Sequence, residues 1–171
     1  MMLARRAFFG LAASALLVGP AAPSALPLAE LPDNVEAPDF AIADMAGEVR
    51  RLSQYRGRPV LIAFWAVWCP PCRRELAALA ELRMKLSDTG YEFLAVNLGD
   101  SRERIAAFIE RHPAPGLPVL LDTEKVTAAR WHVRGLPVAY VVDARGILRL
   151  GALGERDWRA PVIEGQLRTL I

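Results

Sequence analysis

The run from Pro59 to Leu86, PVLIAFWAVWCPPCRRELAALAELRMKL, changes character at its middle. Pro59 to Val67 is almost continuously apolar, the pattern of a strand buried on both faces. From Pro70 onward Leu76, Leu79, Leu82 and Leu86 recur at helical spacing, and the pattern predicts a helix that ends at Gly90. The only two cysteines of the chain, Cys69 and Cys72, stand at this strand-to-helix junction with Pro70 and Pro71 between them. With Cys69 as the N-cap, Pro70 takes the first helical position, where a fixed φ and a missing N–H do no harm. Pro71 removes a second amide, so the main backbone donor left to face the Cys69 sulfur is the N–H of Cys72. That hydrogen bond and the helix dipole favour thiolate at Cys69, and Arg73 adds a positive charge on the same face. The residues therefore point to Cys69 as a nucleophile and to Cys72, one turn deeper, as its resolving partner.

Working outward, "DFAIADMAGEVRRLSQYRG" (39–57) reads as a hairpin turning at Met45–Gly47. "YEFLAVNLG" is a second buried strand, and "SRERIAAFIERH" a helix capped at its start with Ile105, Phe108 and Ile109 on one face. "LPVLLD" reads as a short strand and "EKVTAARWHV" as a short helix. "VAYVVDARGILRLGAL" reads as two strands about the turn DARG, and "ERDWRAPVIEGQLRTLI" as a closing helix in spite of Pro161. Strands alternating with helices predict an α/β sheet with parallel pairs, finished by an antiparallel hairpin.

The chain has 171 residues, 53% of them hydrophobic and 23% charged, enough for one domain with a core that needs no disulfide or metal staple. Residues 1–30 read differently. Arg5 and Arg6 precede an apolar run of about 12 residues, Ala7–Val18, and a small, Pro-rich stretch follows, which is the order of a secretory signal peptide. That run is shorter than the roughly 17 to 25 residues that span a bilayer. Cleavage is expected between residues 20 and 30, leaving a domain over 36–171; the alternative is an uncleaved anchor in the inner membrane facing the periplasm. The export route is Sec or twin-arginine, since "RRAFF" partly matches the latter signal. Loss of Arg5 and Arg6 from 21 basic residues leaves 19 against 19 acidic ones, and no basic tract suggests nucleic acid as a partner. Export places both cysteines where disulfides form.

A purely structural disulfide over so short a loop gives only about 2 kcal/mol in the chain-entropy model. A zinc site lacks ligands, because beyond the pair only His112 and His132 stand out, neither at knuckle spacing. The redox reading is the one the junction favours. Two others stay open: a copper-handling module built from the two thiolates and a histidine, and a thiol peroxidase of the peroxiredoxin type. The latter family has a Thr three residues before its cysteine, where this chain has Ala66.

"WCPPC" after "PVLIAFWAV", with "EAPDFAIADMAGEVRRLSQYRG" before and "GLPVAYVVDARGIL" after, resembles the TlpA/ResA-like exported thiol-disulfide oxidoreductases of the thioredoxin superfamily, over about 36–171. The resemblance implies a thioredoxin fold: a mixed central sheet flanked by helices, with an N-terminal β-hairpin and a central βα insertion. It implies a Cys69–Cys72 pair cycling between dithiol and disulfide with no metal and no prosthetic group. It also implies a cis peptide at Pro137, with the backbone of Leu136 offered to an extended substrate segment. Glu75 matches an acidic residue of the ResA-like members and lies three residues after Cys72, within reach to take its proton. Trp68 is expected to wall the substrate groove, while Trp65, Trp131 and Trp158 are expected to pack. His132, near the Pro137 loop, is expected to cap a carbonyl at a helix end. Three positions depart from common thioredoxins: Ala63 in place of a buried Asp, Ala77 in place of a kinking proline, and Val138 in place of a Thr. The implied partners are disulfide-bearing exported proteins and a membrane dithiol electron donor, with the chain itself a periplasmic monomer.

Overall fold

The structure, a computed structural model, describes residues 25–171. Most of the leader read at residues 1–30 lies outside the described residues.

The apolar run at the centre of the sequence forms β4 (Val60–Trp65), and all six of its residues are buried. Its alternate side chains feed two cores on opposite faces of the sheet, which is why the sequence shows no polar alternation there. Leu61, Ala63 and Trp65 join the cores of three helices: α1 (Pro70–Lys85) through Leu76, Leu79 and Leu82, α2 (Arg102–Arg111) through Ile105 and Phe108, and α4 (Pro161–Arg168) through Ile163 and Leu167. Val60, Ile62 and Phe64 face the other way, onto Phe40, Leu52, Tyr55, Ala128 and Trp131. That second layer comprises the expected N-terminal hairpin, β2 (Ala41–Ala43) with β3 (Val49–Arg51), a 3-10 turn at Leu52–Tyr55, and α3 (Val126–Arg130).

Among the described residues the main sheet has six strands. β4 pairs in parallel with β5 (Glu92–Leu98), which pairs in parallel with β6 (Val119–Asp122) at one edge. On its other side β4 runs antiparallel to β7 (Val138–Val142), which pairs with β8 (Leu148–Leu153) through the expected turn at Asp143–Gly146. A two-residue edge strand, β1 (Ala29–Glu30), completes the order β1-β8-β7-β4-β5-β6. β6 and α3 are the inserted βα unit.

Two helices differ in extent from their sequence patterns. α1 stops at Lys85, because the hydroxyl of Thr89 donates to the Leu86 carbonyl at 2.6 Å and draws residues 86–90 into turns before Gly90, which is left-handed at φ 74°. α4 begins only at Pro161; the proline occupies the first helical position, and Glu155–Ala160 form a loop with Asp157 accepting from the N–H of Arg159.

Candidate active site

The junction of β4 and α1 is built as its sequence suggests. Cys69 is the N-cap of α1 with extended backbone, Pro70 and Pro71 follow, and the Cys72 N–H donates to the Cys69 sulfur at 3.3 Å. The Cys69 N–H donates to the carbonyl of Ala66 at 3.1 Å, closing a tight turn ahead of the helix. The two sulfurs are joined in a disulfide, with Cα atoms 5.4 Å apart. Cys69 is 4% exposed and Cys72 1%, so Cys69 is the less buried residue of the two. Trp68 stands beside it with 57% of its surface in water, an unusual position for an indole whose neighbour Trp65 is fully packed.

The antiparallel register of β4 and β7 pairs Phe64 with Val138, which brings the segment just before β7 to the end of the sheet from which the Cys69 turn springs. That segment is Leu136–Pro137, and its peptide bond is cis. Leu136 packs against the core cluster that contains both cysteines. The structure thus brings together at one end of the sheet Trp68, Cys69, Cys72, Leu136 and Pro137. Ala63 is buried in β4 and supplies no acid, and Val138 is buried likewise.

Glu75 is not a solvated surface acid: it is 6% exposed, on the buried face of α1 one turn beyond Cys72. Its carboxyl group accepts the N–H of Arg156 at 2.6 Å, from the loop between β8 and α4. Burial pushes the Glu75 pKa up to about 7. The Arg156 N–H opposes that rise, as does the indole of Trp158, which faces the carboxyl group without the alignment of a full hydrogen bond; the Glu155 carboxylate adds to the rise. The same loop is strapped to α1 by bidentate pairs of Arg74 with Glu155 and of Arg159 with Glu81. Trp158 was expected only to pack; it is buried, and it also sets the surroundings of Glu75.

One polar group of the site has no counterpart in the reading of the sequence. Asp100, just after β5, is buried and accepts the Val67 N–H at 2.6 Å and the Asn97 side-chain amide at 3.1 Å. A turn signal, "LGDS", marks the position in sequence, but nothing there shows that its carboxylate reaches across 33 residues to the cysteine turn. The two histidines lie elsewhere. His112 stacks on Phe108, and His132 is an exposed left-handed residue after α3 whose backbone N–H donates to the Ala129 carbonyl at 3.1 Å, a bond any residue there would make. Among the described residues no three His, Cys, Asp or Glu side chains group as metal ligands would.

Comparison with known proteins agrees with this architecture. The chain is 36% identical over 110 residues to the thiol-disulfide oxidoreductase ResA of Geobacillus kaustophilus, a match covering 64% of this chain and 63% of that protein, so it spans just under two thirds of that relative's length. It is 31% identical over 120 residues to the thioredoxin-like protein YneN of Bacillus subtilis, covering 68% and 69% of the two chains. A crystal structure from Chlorobium tepidum assigned to a thiol:disulfide interchange protein, DsbE, superposes with a TM-score of 0.74 at 30% identity, over 80% of this chain and 95% of that one. The fold is therefore the thioredoxin fold. Because the sequence pattern of the AhpC/TSA family matches residues 34–150, from the hairpin through the cysteine junction to β8, the chain belongs to that family of the thioredoxin superfamily.

Proposed function

We propose that this chain is an exported thiol-disulfide oxidoreductase that reduces disulfides of selected periplasmic proteins. The observation that carries the reading is the Cys69–Cys72 disulfide at the N-terminus of α1, the Cys69 sulfur receiving the Cys72 N–H, next to the exposed Trp68 and at the same end of the sheet as the cis Leu136–Pro137 segment. In the reduced form the helix terminus and that N–H stabilise a Cys69 thiolate. The thiolate attacks one sulfur of a substrate disulfide; a mixed disulfide forms, and the other substrate sulfur leaves as a thiolate. Glu75 takes the proton of Cys72, whose thiolate attacks the Cys69 sulfur. The second substrate thiol leaves, and the chain is left with the Cys69–Cys72 disulfide. Two electrons have passed to the substrate. The backbone of Leu136 and the indole of Trp68 hold the substrate segment over the pair.

The chain's own disulfide must then be reduced by another dithiol, and a membrane dithiol carrier is the donor that suits an exported protein. Apocytochrome c or the cysteines of a copper site are the substrates this reading favours. The names of the ResA and DsbE relatives support the activity class. No other cofactor enters the cycle.

The test is reduction of insulin or another disulfide-bearing protein by the prereduced chain. Wild type is expected to reduce it in stoichiometric amount, Cys69→Ser to lose the reaction, and Cys72→Ser to accumulate mixed disulfides. A reduced chain that leaves protein disulfides untouched yet binds Cu(I) tightly would instead make it a copper-handling module.

A further inference from the structure

Asp100 spends a buried carboxylate on the turn that precedes the nucleophile. Its Oδ2 accepts both the Val67 N–H at 2.6 Å and the Asn97 amide at 3.1 Å, and its Oδ1 faces Arg104 at 3.3 Å. Asn97, itself buried at the end of β5, returns a contact by accepting the Asp100 N–H at 3.2 Å. The carboxylate is not needed to cap α2, since the hydroxyl of Ser101 accepts the Arg104 N–H at that helix terminus. What Asp100 serves instead is Val67. That residue belongs to the turn Ala66–Cys69, closed by the Cys69 N–H to the Ala66 carbonyl. With Val67 held, the turn has a fixed orientation on the sheet; with Val67 released, a half-buried N–H loses its acceptor and the turn must shift to satisfy it. A shift there moves Cys69 relative to the Cys72 N–H that stabilises its thiolate. We infer that Asp100 is a positioning residue for the nucleophile, fixing the Ala66–Cys69 turn through the Val67 N–H with Asn97 as its support.

The inference rests on the proposed role of Cys69 as nucleophile, but its readout does not require turnover. The reduced full-length chain is alkylated with iodoacetamide, and the rate at Cys69 is followed by peptide mass spectrometry. Asp100→Ala removes the acceptor and the charge; Asp100→Asn removes only the charge, since its carbonyl oxygen can still take Val67 and Asn97 while the exposed Arg104 turns away. Alkylation of Asp100→Ala is expected to be slower than that of Asp100→Asn by about five-fold, the loss of one hydrogen bond. Arg104→Ala, which leaves the Val67 bond alone, is expected to match wild type. Equal rates in Asp100→Ala and Asp100→Asn, both folded, would overturn the inference, as would an equal slowing in Arg104→Ala. Should Asp100→Ala not fold, hydrogen exchange of the Val67 amide in wild type decides: protection in both redox states supports the bond, and exchange at the rate of an open amide refutes it. Failure of insulin reduction by wild type, with these alkylation differences intact, would remove the proposed function and leave Asp100 in its role.

Discussion

Glu75 is held under opposing influences, and the balance gives it a measurable signature. Burial outweighs the Arg156 N–H and the indole of Trp158, so its folded pKa is about 7, against an ordinary carboxylate value in the unfolded chain. Below about pH 4.5 both states carry the proton. Between there and about pH 7 the unfolded chain releases it while the folded chain keeps it, so stability falls as pH rises through this window and levels off above it. The full loss is about 3 kcal/mol at most. Glu75→Gln, which retains an oxygen for the Arg156 N–H, is expected to flatten that slope in urea denaturation across pH 4 to 8; an unchanged slope would assign it to another group. A carboxyl group that titrates near neutrality is also suited to exchange a proton with Cys72. The same variant is therefore expected to slow release of mixed disulfides by a factor of about 10², with the fold intact by circular dichroism. Turnover equal to wild type would reduce Glu75 to a buried structural acid.

The first turn of α1 is the element that would tune the proposed nucleophile, Cys69. A helix start ordinarily offers several free N–H groups to a residue at its N-cap, but Pro70 and Pro71 offer none, and the Cys72 N–H at 3.3 Å is the backbone donor that the Cys69 sulfur receives. Its thiol pKa is expected to fall below the ordinary value of about 8.5, yet to stay nearer the value of about 7 typical of thioredoxin than the value of about 3.5 of a strong oxidant. Thiolate absorbance of the reduced chain through a pH titration measures this, and a midpoint below about 5 would contradict the donor argument. This element was legible in the sequence because everything that defines it is local: the buried run of β4, the N-cap cysteine, the two prolines and the leucine spacing. The ends of elements were less so. α1 closes early because of a hydroxyl-to-carbonyl bond at Thr89, and α4 opens late because its proline is a starting residue instead of an interruption. The supports of the site were not legible. Arg156 reaches Glu75 across 81 residues and Asp100 reaches Val67 across 33, contacts that no local pattern encodes.

At the scale of the molecule, the N-terminal segment and the redox cycle set the remaining expectations. Leu28 is 3% exposed, its N–H and C=O both bond the side chain of Gln166 in α4, and Ala29–Glu30 extend the sheet along β8. On the proposed export, a signal peptidase that spares this edge cuts before Leu28, and intact-mass analysis of the mature chain is expected to show a first residue between 20 and 28, within the 20–30 window. A chain beginning at Pro32 is expected to lose about 2 kcal/mol from the burial of Leu28 alone, read from its denaturation midpoint. On the proposed function, the direction of electron flow is expected from the first turn of α1. A modestly lowered thiol pKa stabilises the reduced form only modestly, which places the potential of the pair nearer the reducing end than that of a strong oxidant. Cys69 and Cys72 are the only cysteines in the sequence, so no third thiol within the chain can restore the dithiol after it has reduced a substrate. On the proposed function the electrons come from a second protein that reaches the same buried pair, with Trp68 and the Leu136–Pro137 segment as its proposed docking surface. Donor and substrate then compete for one site, and the steady state of the pair reports which supplies electrons. In intact cells with the proposed membrane carrier working, trapping by alkylation is expected to find the pair largely reduced, and deletion of that carrier to leave it oxidised. A pair found mostly oxidised while the carrier works would reverse the assignment, making the chain an oxidant that introduces disulfides into its partners.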